Sequence, residues 1–276
     1  MIRAKKFSKK ISPDRRFRAK KSLGQHFLTD QAAINTSVST AQLTPEDTVL
    51  EVGPGEGVLT AALLETGARV IAVEKDDRLI GLLTEKFHAD IKNKKLELIH
   101  TDILDFSLQA KKLRSYKLIA NIPYYLTGQI IRQFLTAINQ PISMTLMLQK
   151  EVAERIVAKD KRESLLSVSI KCYGRPHYIH TVPRGAFRPA PRVDSAIIQI
   201  DNISRDRFNE NGVTEPEFFA LLHRGFAAPR KMLGPKLMKF GLGGAKLTVS
   251  NVSLQARAEN LTVDQWFSLA KQIKNI

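Results

Sequence analysis

Short apolar runs alternate with longer segments of helical periodicity over the first 200 residues of the chain. The apolar runs predict strands at 48–52, 69–73, 96–100, 117–120, 144–148 and 196–200. The helical pattern predicts helices at 58–65, 78–87, 128–137 and 150–158. Alternation of this kind is typical of βαβ units, and it predicts an α/β fold with a parallel sheet and helices on both faces.

The alternation stops after residue 200. Segment 215–276 has a helical pattern throughout, with Pro216 near a start and glycines at 241, 243 and 244 as breaks. Asp, Asn, Arg and Gly cluster at 201–214, which we interpret as a boundary. We therefore predict a basic arm over residues 1–21, an α/β domain over residues 22–204 and a small all-α domain over residues 205–276.

The charge of the chain is far from balanced. It has 43 basic and 27 acidic residues, a formal net charge of +16 and a pI of about 10.0. This favours nucleic acid as the partner, with an anionic membrane second. There is no signal-peptide pattern and no apolar run near 18 residues, so we expect neither secretion nor a membrane span. Cys172 is the only cysteine, which excludes an intrachain disulfide and agrees with a cytoplasmic location.

The first 21 residues carry ten basic side chains and one acid, Asp14, and so hold +9 of the net charge. They contain too few apolar residues to fold alone. We interpret them as a disordered arm that contacts RNA phosphates. A solvated tail without a binding role is the alternative, and a transit peptide is less favoured because Phe7, Ile11 and Phe17 make no clear apolar face.

A glycine-rich segment, Glu51-Val52-Gly53-Pro54-Gly55-Glu56-Gly57, follows the first predicted strand and opens a helix. Its glycines allow the backbone to approach a ligand closely. The third glycine comes one position earlier than in the dinucleotide fingerprint, and two glutamates put negative charge where a pyrophosphate would lie. The segment favours a ligand with a positive centre and no phosphates, and S-adenosylmethionine is such a ligand.

Polar side chains end the next three predicted strands. Glu74, 21 residues after Gly53, can accept hydrogen bonds from ribose hydroxyls. Asp102 is placed to accept from the amino group of a cofactor adenine, and Asn121 ends the fourth strand. Because ligands bind at the carboxyl ends of parallel strands, we expect these three residues to line one cofactor site with Gly53 and Gly55.

The fourth strand runs into Asn121-Ile122-Pro123-Tyr124. Asn121 and the Ile122 carbonyl can accept both hydrogens of an exocyclic amino group, Tyr124 can stack on its ring, and Pro123 fixes φ and removes a competing donor. This combination favours methyl transfer to an amino nitrogen of a planar base, for which no general base is needed before attack. The alternative is a strand followed by an ordinary proline turn.

A base inside a helix cannot reach such a pocket, so it must be unpaired or flipped out. Phe187, in a proline-rich loop, is a candidate second stacking surface. The alternative is that this loop only connects to the strand at 196–200. Segment 224–240 contains five basic residues and no acid. The candidate RNA-binding residues of these two segments are Arg188, Arg192, Arg224, Arg230 and Lys231. The histidines show no metal-ligand spacing, so no metal site is predicted.

With these motifs the chain resembles the ribosomal RNA adenine dimethyltransferases, specifically the small-subunit type. The matching segments are 21–28 (Lys-Ser-Leu-Gly-Gln-His-Phe-Leu), 51–57, 74–76, Asp102, 121–124, 149–156, 187–195 and 257–261. The resemblance implies a class I (Rossmann-like) methyltransferase fold with S-adenosylmethionine as cofactor. It implies two methyl transfers to N6 of each of two adjacent adenosines near the 3′ end of small-subunit rRNA, within a pre-mature small ribosomal subunit.

The resemblance also implies roles by matching position. His26, Leu28, Gly53, Glu74, Asp102 and Asn121 would bind the cofactor, and Phe27, Asn121, Tyr124 and Phe187 would frame the target base. Among the departures from the family pattern, His26 stands where Asn is usual, and Tyr125 stands where Asn is common, which bears on the number of methyls added. We expect a monomer.

Three alternatives are kept. One is a non-catalytic ribosome-assembly or transcription factor of the same fold, which the intact 121–124 and 53–57 segments disfavour. Another is a large-subunit rRNA adenine methyltransferase of the antibiotic-resistance type, which segments 149–156 and 193–196 disfavour. An NAD(P)-dependent oxidoreductase is disfavoured by the glycine spacing.

Deleting residues 1–20 is expected to weaken RNA binding and to lower its dependence on salt, because fewer phosphate contacts release fewer counterions. The measurement is the slope of log K against log salt concentration for the full-length and shortened proteins. An unchanged slope would contradict the role given to the arm.

Overall fold

The computed structural model describes residues 19–108, 113–228, 231–238, 252, 253 and 255–274. Nearly all of the basic arm, residues 1–18, lies outside these ranges, as do Arg230 and the glycines at 241, 243 and 244. None of the helices within the ranges has both the length and the apolar composition needed to cross a membrane.

The described residues form a seven-stranded sheet and a small two-stranded sheet. Numbered along the chain, the strands are β1 (Phe27–Leu28), β2 (Thr48–Val52), β3 (Arg69–Glu74), β4 (Leu96–His100), β5 (Lys117–Asn121), β6 (Ser143–Gln149), β7 (Arg175–Val182), β8 (Phe187–Arg188) and β9 (Ser195–Asp201). The large sheet has the order β4-β3-β2-β5-β6-β9-β7, and β1 pairs with β8 in the small sheet. The first five strands of that order are parallel, whereas β9 runs antiparallel to β6.

This strand order reverses direction between β2 and β5. The chain moves outward from β2 through β3 to β4, then returns to the other side of β2 as β5 and continues to β6. Such a switch point leaves a crevice at the carboxyl ends of the two central strands, where ligands bind in open α/β sheets. The fold therefore places the segments after β2 and β5, at residues 53–57 and 121–124, at the same crevice.

The helices, again numbered along the chain, are α1 (Gln31–Ala41), α2 (Val58–Leu64), α3 (Asp77–Lys86), α4 (His88–Lys92), α5 (Thr127–Leu135), α6 (Lys150–Val157), α7 (Leu165–Lys171), α8 (Asp206–Asn211), α9 (Glu215–Phe226), α10 (Gly234–Met238) and α11 (Val263–Lys274). Caps define several of their starts. Asp30 accepts a hydrogen bond from Ala33 N at 2.7 Å at the start of α1. Thr214 and Glu217 form a capping box at α9. Caps of this kind satisfy backbone N–H groups that the first turn leaves without partners.

All six strands and four helices that the sequence predicts are present, with ends that differ by at most two residues. The strands were predictable because β2, β3 and β6 are buried along almost their whole length and therefore consist mostly of apolar residues. The prediction of a helical pattern throughout 215–276 is wrong for residues 227, 228, 231–233, 261 and 262, and also for residues 252, 253 and 255–257. There the backbone of Ala256 bonds to Leu233 and Ser253 in a turn rather than to a preceding helical turn.

The chain divides into two compact units. The first comprises the residues up to Ala153 together with His177–Asp201. The second comprises Glu154–Pro176 and the residues from Asn202 onward, so it includes residues 154–176, which the sequence division gave to the α/β domain. The division into domains at residues 204 and 205 stays a prediction.

The second unit has an aromatic core of its own. The Phe218 and Phe267 rings lie 4.4 Å apart between centroids, and Phe208 meets Phe267 edge to face at 5.1 Å. Trp266 is completely buried. Cys172 also lies in this unit, buried, and burial raises the pKa of its thiol well above the usual value, which fits an unreactive core residue.

Substituting Gly225 in α9 by Ala is expected to destabilise the protein by about 1–3 kcal/mol, although Ala favours helices. A Cβ at this position would lie 2.3 Å from Cη2 of Trp266, which the packed aromatic core cannot move aside. The measurement is urea denaturation followed by far-UV circular dichroism. Gly128→Ala in α5 is the matched control, since a Cβ there meets nothing within 4 Å among the described residues. Equal stability of the two variants would contradict this account.

Candidate active site

A cavity opens at the carboxyl ends of β2, β3, β4 and β5, at the switch point of the sheet. Residues 23–28, which lead into β1, form a further part of its wall. The structure brings together at this cavity all ten residues that the sequence assigned to catalysis or cofactor binding: His26, Leu28, Gly53, Gly55, Glu74, Asp102, Asn121, Pro123, Tyr124 and Phe187. Their individual roles stay predictions.

The glycine loop after β2 presents its backbone to the cavity. Gly53 has φ of +68° and Gly55 has φ of +58°, a region that favours glycine. A Cβ on Gly53 would meet no described atom within 4 Å, so its Cα faces open space that a ligand can enter. A Cβ on Gly55 would lie 3.1 Å from the Phe27 ring. The loop is therefore open to a ligand at Gly53 and covered by an aromatic ring at Gly55.

The Glu74 carboxylate joins this loop to the end of β3. Its Oε2 accepts a hydrogen bond from Gly55 N at 3.1 Å, and its Oε1 accepts one from Asp76 N at 2.7 Å. The side chain is buried, and burial raises the pKa of the carboxyl while the backbone donors oppose the increase. Each oxygen has a second lone pair, so Glu74 can still accept hydrogen bonds from a ligand hydroxyl.

Asp102, after β4, is fixed at both of its oxygens. Leu104 N donates to Oδ1 at 3.0 Å, and Lys75 Nζ donates to Oδ2 at 2.6 Å. Partial burial opposes ionisation, but the Lys75 ammonium and the backbone donor outweigh it, so the pKa of Asp102 is lowered. Lys75 also lines the cavity, and sequence reasoning missed it, although its place between Glu74 and Asp76 was the available signal.

Asn121, the last residue of β5, is oriented by the opposite wall. Its Nδ2 donates to the His26 carbonyl at 3.1 Å, which leaves Oδ1 as the acceptor of this side chain. The Ile122 N–H donates to Met147 O at 3.0 Å, so the backbone stays extended beyond the strand before it turns. The amide and the following backbone are therefore held on both sides.

The rings of Tyr124 and Phe187 line the same cavity as Asn121. The Tyr124 ring lies parallel to His26, with centroids 5.9 Å apart, and its hydroxyl shares a hydrogen bond with Ser195 Oγ at 2.8 Å. Phe187 is buried and pairs with Leu28 between β8 and β1. No sequence pattern indicates that Ser195 is the partner of Tyr124, although Ser195 ends the family-like segment 187–195.

His26 closes the wall from the other side. Its Nδ1 lies 2.7 Å from the Pro189 carbonyl oxygen, and since a carbonyl only accepts, Nδ1 is the donor. The small β1–β8 sheet thus brings residue 26 and the proline-rich loop into contact.

The candidate RNA-binding residues lie on exposed surfaces where they are described. Arg188 and Arg192 are exposed in the first unit, next to Phe187 in the sequence. Arg224 and Lys231 are exposed in the second unit, and Arg230 lies outside the described residues.

Behind the glycine loop, Glu51 is buried inside the sheet. Its Oε2 accepts a hydrogen bond from Thr60 Oγ1 at 2.7 Å, while Oε1 has no hydrogen-bond partner in the described part of the chain. Burial raises the pKa of Glu51 to about 8, and the charge of Glu74 makes a smaller contribution in the same direction. The hydrogen bond from Thr60 and the charge of Lys86 lower this pKa, but they do not outweigh burial. Glu51 is therefore protonated at neutral pH.

The strand order, the glycine loop and the polar residue at the end of each central strand define a class I, Rossmann-like methyltransferase fold. The chain belongs to the family described as ribosomal RNA adenine dimethylase, whose model matches residues 16–275.

Similar proteins of known sequence agree with this assignment, and solved structures agree with the fold. A ribosomal RNA small subunit methyltransferase A of Dehalococcoides mccartyi is 46% identical over 260 residues, covering 91% of this chain and 87% of that protein. The protein of the same name in Fusobacterium nucleatum is 34% identical, and the match covers 92% of this chain and 97% of that protein. The crystal structure of the 23S rRNA methyltransferase ErmE matches with a TM-score of 0.72 at 25% identity, covering 90% of this chain and 99% of that chain. A dimethyladenosine transferase from Plasmodium falciparum matches with a TM-score of 0.75 at 23% identity, covering 88% and 96%.

Replacing Glu51 by Gln is expected to make stability less dependent on pH between about 4.5 and 8. The folded state holds the Glu51 proton more tightly than the unfolded state. Its contribution is therefore complete below the unfolded pKa and is lost as pH rises through the folded pKa. Gln keeps an acceptor for Thr60 and cannot ionise.

The measurement is the urea midpoint at pH 5.5 and at pH 8.5. Between these two pH values, the midpoint of wild type should fall by more than the midpoint of Glu51→Gln. Glu65→Gln, at an exposed position just after α2, is the control and should follow wild type. Parallel pH profiles for Glu51→Gln and wild type would show that Glu51 ionises freely in the folded protein.

Proposed function

We propose that the protein transfers methyl groups from S-adenosylmethionine to N6 of two adjacent adenosines near the 3′ end of small-subunit rRNA, giving N6,N6-dimethyladenosine. The observation that carries this proposal is the Asn121–Tyr124 segment. It ends a central strand beside the glycine loop, with its amide oxygen left as an acceptor and an aromatic ring beside it. The names of the relatives in Dehalococcoides and Fusobacterium support the small subunit as the substrate.

The residues at the cavity fit S-adenosylmethionine better than a phosphate-bearing cofactor. Glu56 and Glu74 both line the cavity and are buried, which supplies negative potential near a sulfonium and an ammonium group. Glu74 can take the ribose hydroxyls, Asp102 can accept from the adenine amino group, and the open face of Gly53 allows close approach. The cofactor supplies the electrophilic methyl group when bound.

The protein's own part in the reaction is to position the target amine. Asn121 Oδ1 and the Ile122 carbonyl accept the two N6 hydrogens, which orients the nitrogen and increases its electron density. Tyr124 stacks on the base, a contact worth about 1–3 kcal/mol, and Ser195 holds the ring in place. Phe187 helps to exclude water from the other side. The amine becomes acidic only after it gains the methyl group, so its proton can leave to solvent without a dedicated base.

The RNA would be held by exposed basic residues, which are Arg188 and Arg192 in the segment that follows Phe187, and Arg224 and Lys231 on the helical unit. We further propose that the substrate is rRNA within a pre-mature small subunit rather than naked RNA. The monomeric state, the cytoplasmic location and the RNA-contacting role of the helical domain are part of this proposal.

Two other functions of the family fold are less well supported. ErmE acts on 23S rRNA and shares 25% identity, whereas relatives at 34–46% identity carry the small-subunit name. A non-catalytic assembly factor would not need the fixed Asn121 amide or the hydrogen-bonded Glu74 carboxylate.

The test is methyl transfer from labelled S-adenosylmethionine to unmethylated small subunits, followed by nucleoside mass spectrometry. We expect dimethyladenosine in the 3′ region of the rRNA. Asn121→Ala should lower kcat by about 100-fold, because the amine loses an oriented acceptor. Asn139→Ala, outside the cavity between α5 and β6, is the matched control and should keep wild-type activity.

Each other outcome identifies a different function. Label in large-subunit rRNA would favour the antibiotic-resistance type of enzyme. Cofactor binding without product on either subunit would favour an assembly factor. Monomethyladenosine alone would mean that the target pocket is altered from the family pattern, in which Asn is common at the position of Tyr125.

A further inference from the structure

Asp76 holds one wall of the cavity in place without lining the cavity itself. Its side chain is fully buried. Its Oδ2 accepts a hydrogen bond from Gln25 Nε2 at 2.8 Å, and its Oδ1 accepts one from Lys20 Nζ at 3.3 Å. A buried carboxylate therefore anchors two residues that lie more than fifty positions earlier in the chain.

Gln25 transmits this anchor to the wall. While Nε2 donates to Asp76, Oε1 accepts from Lys20 N at 2.8 Å, so both ends of the amide are engaged. The segment from residue 20 to residue 25 is closed into a compact turn, in which Leu23 N also donates to Lys20 O at 3.1 Å. The position of residues 26–28 consequently depends on where Gln25 is held.

Residues 26 and 27 contact both halves of the site. The His26 carbonyl accepts from Asn121 Nδ2 at 3.1 Å, and the Phe27 ring lies over Gly55. A shift of this wall would therefore change the orientation of the Asn121 amide and uncover the glycine loop. Asp76 also helps to hold the Glu74 carboxylate, because the backbone N–H of Asp76 donates to Glu74 Oε1 at 2.7 Å.

The charge on Asp76 suits it to this task. The hydrogen bonds from Arg78 hold the pKa of this carboxyl well below its usual range, and Gln25 and Lys20 add to the effect against the cost of burial. Asp76 is therefore a charged acceptor throughout the pH range in which the protein can be assayed. Hydrogen bonds to a charged acceptor are about twice as strong as neutral ones.

We propose that Asp76 is a positioning residue for the cofactor site, acting through Gln25 on the wall formed by residues 25–28. The inference rests on the proposed function, since the ligand to be tested is S-adenosylmethionine. It assigns Asp76 a role separate from capping α3, in which its Oδ1 accepts from Arg78 N.

The test compares cofactor binding by wild type, Gln25→Leu, Asp76→Asn and the double variant, using titration calorimetry with S-adenosylmethionine. Asn retains an oxygen that can cap α3, so the fold should persist. Each single change should raise Kd about tenfold, as expected for loss of a hydrogen bond to a charged group. The Kd of the double variant should be no higher than that of the single variant with the higher Kd, because both changes break the same contact.

Steady-state kinetics give an independent readout. KM for S-adenosylmethionine should rise in both single variants by much more than kcat at saturating cofactor falls. Gln140→Leu is the matched control. Like Gln25, Gln140 is a partly buried glutamine whose amide donates a hydrogen bond, here to the Leu135 carbonyl at 2.6 Å, but it lies outside the cavity. Thermal denaturation of all variants identifies any loss of binding that comes from unfolding.

The outcomes separate this inference from the proposed function. If Gln25→Leu weakens binding while Asp76→Asn does not, or if the two effects multiply, Gln25 acts by its own contact with the ligand and the inference is overturned. If Asp76→Asn lowers stability but leaves Kd and KM unchanged, Asp76 only caps its helix and the inference is again overturned. A wild-type protein that does not bind S-adenosylmethionine would overturn the proposed function, and this inference with it.

Discussion

The site depends on the buried carboxylate of Glu74. Burying a carboxylate costs free energy unless its oxygens are hydrogen-bonded, and here the donors are the backbone N–H groups of Gly55 and Asp76. These two bonds fix the glycine loop against the end of β3. The loop conformation, the start of α3 and the side chain of Asp76 are therefore set by one buried group, and the wall that carries His26 and Phe27 follows from them.

The sheet topology accounts for the rest of the arrangement. Neighbouring strands of a sheet lie about 4.8 Å apart, so polar residues that end adjacent parallel strands meet at one edge. Glu74 and Asn121 are the last residues of β3 and β5, and Asp102 lies two residues beyond the end of β4. The β1–β8 pair, in which Leu28 lies opposite Phe187, forms a further wall of the cavity beside the large sheet. The cavity thus combines a floor of strand ends with a wall from two distant segments.

The sequence alone predicted the floor of this site but not its supports. Glu74 and Asn121 could be placed because each directly follows an apolar run, as a buried parallel strand requires, and Asp102 could be placed because it follows the strand predicted at 96–100. The contacts of Tyr124 with Ser195 and of Gln25 with Asp76 join residues far apart in the chain, and no local pattern encodes them. Helix α1 was missed because its Ser, Thr and Val residues have low helix propensity, so that the Asp30 cap and burial against the core stabilise it instead.

The pairing of β1 with β8 also has a consequence for how the protein is made. Residues 27 and 28 leave the ribosome early in synthesis, but their partners at 187 and 188 emerge only after most of the first unit has been translated. Contacts of such long sequence separation form late and slow folding. A nascent chain therefore carries an incomplete cavity for most of its synthesis, and it gains the wall beside Asn121 only when the last strands of the sheet have been added.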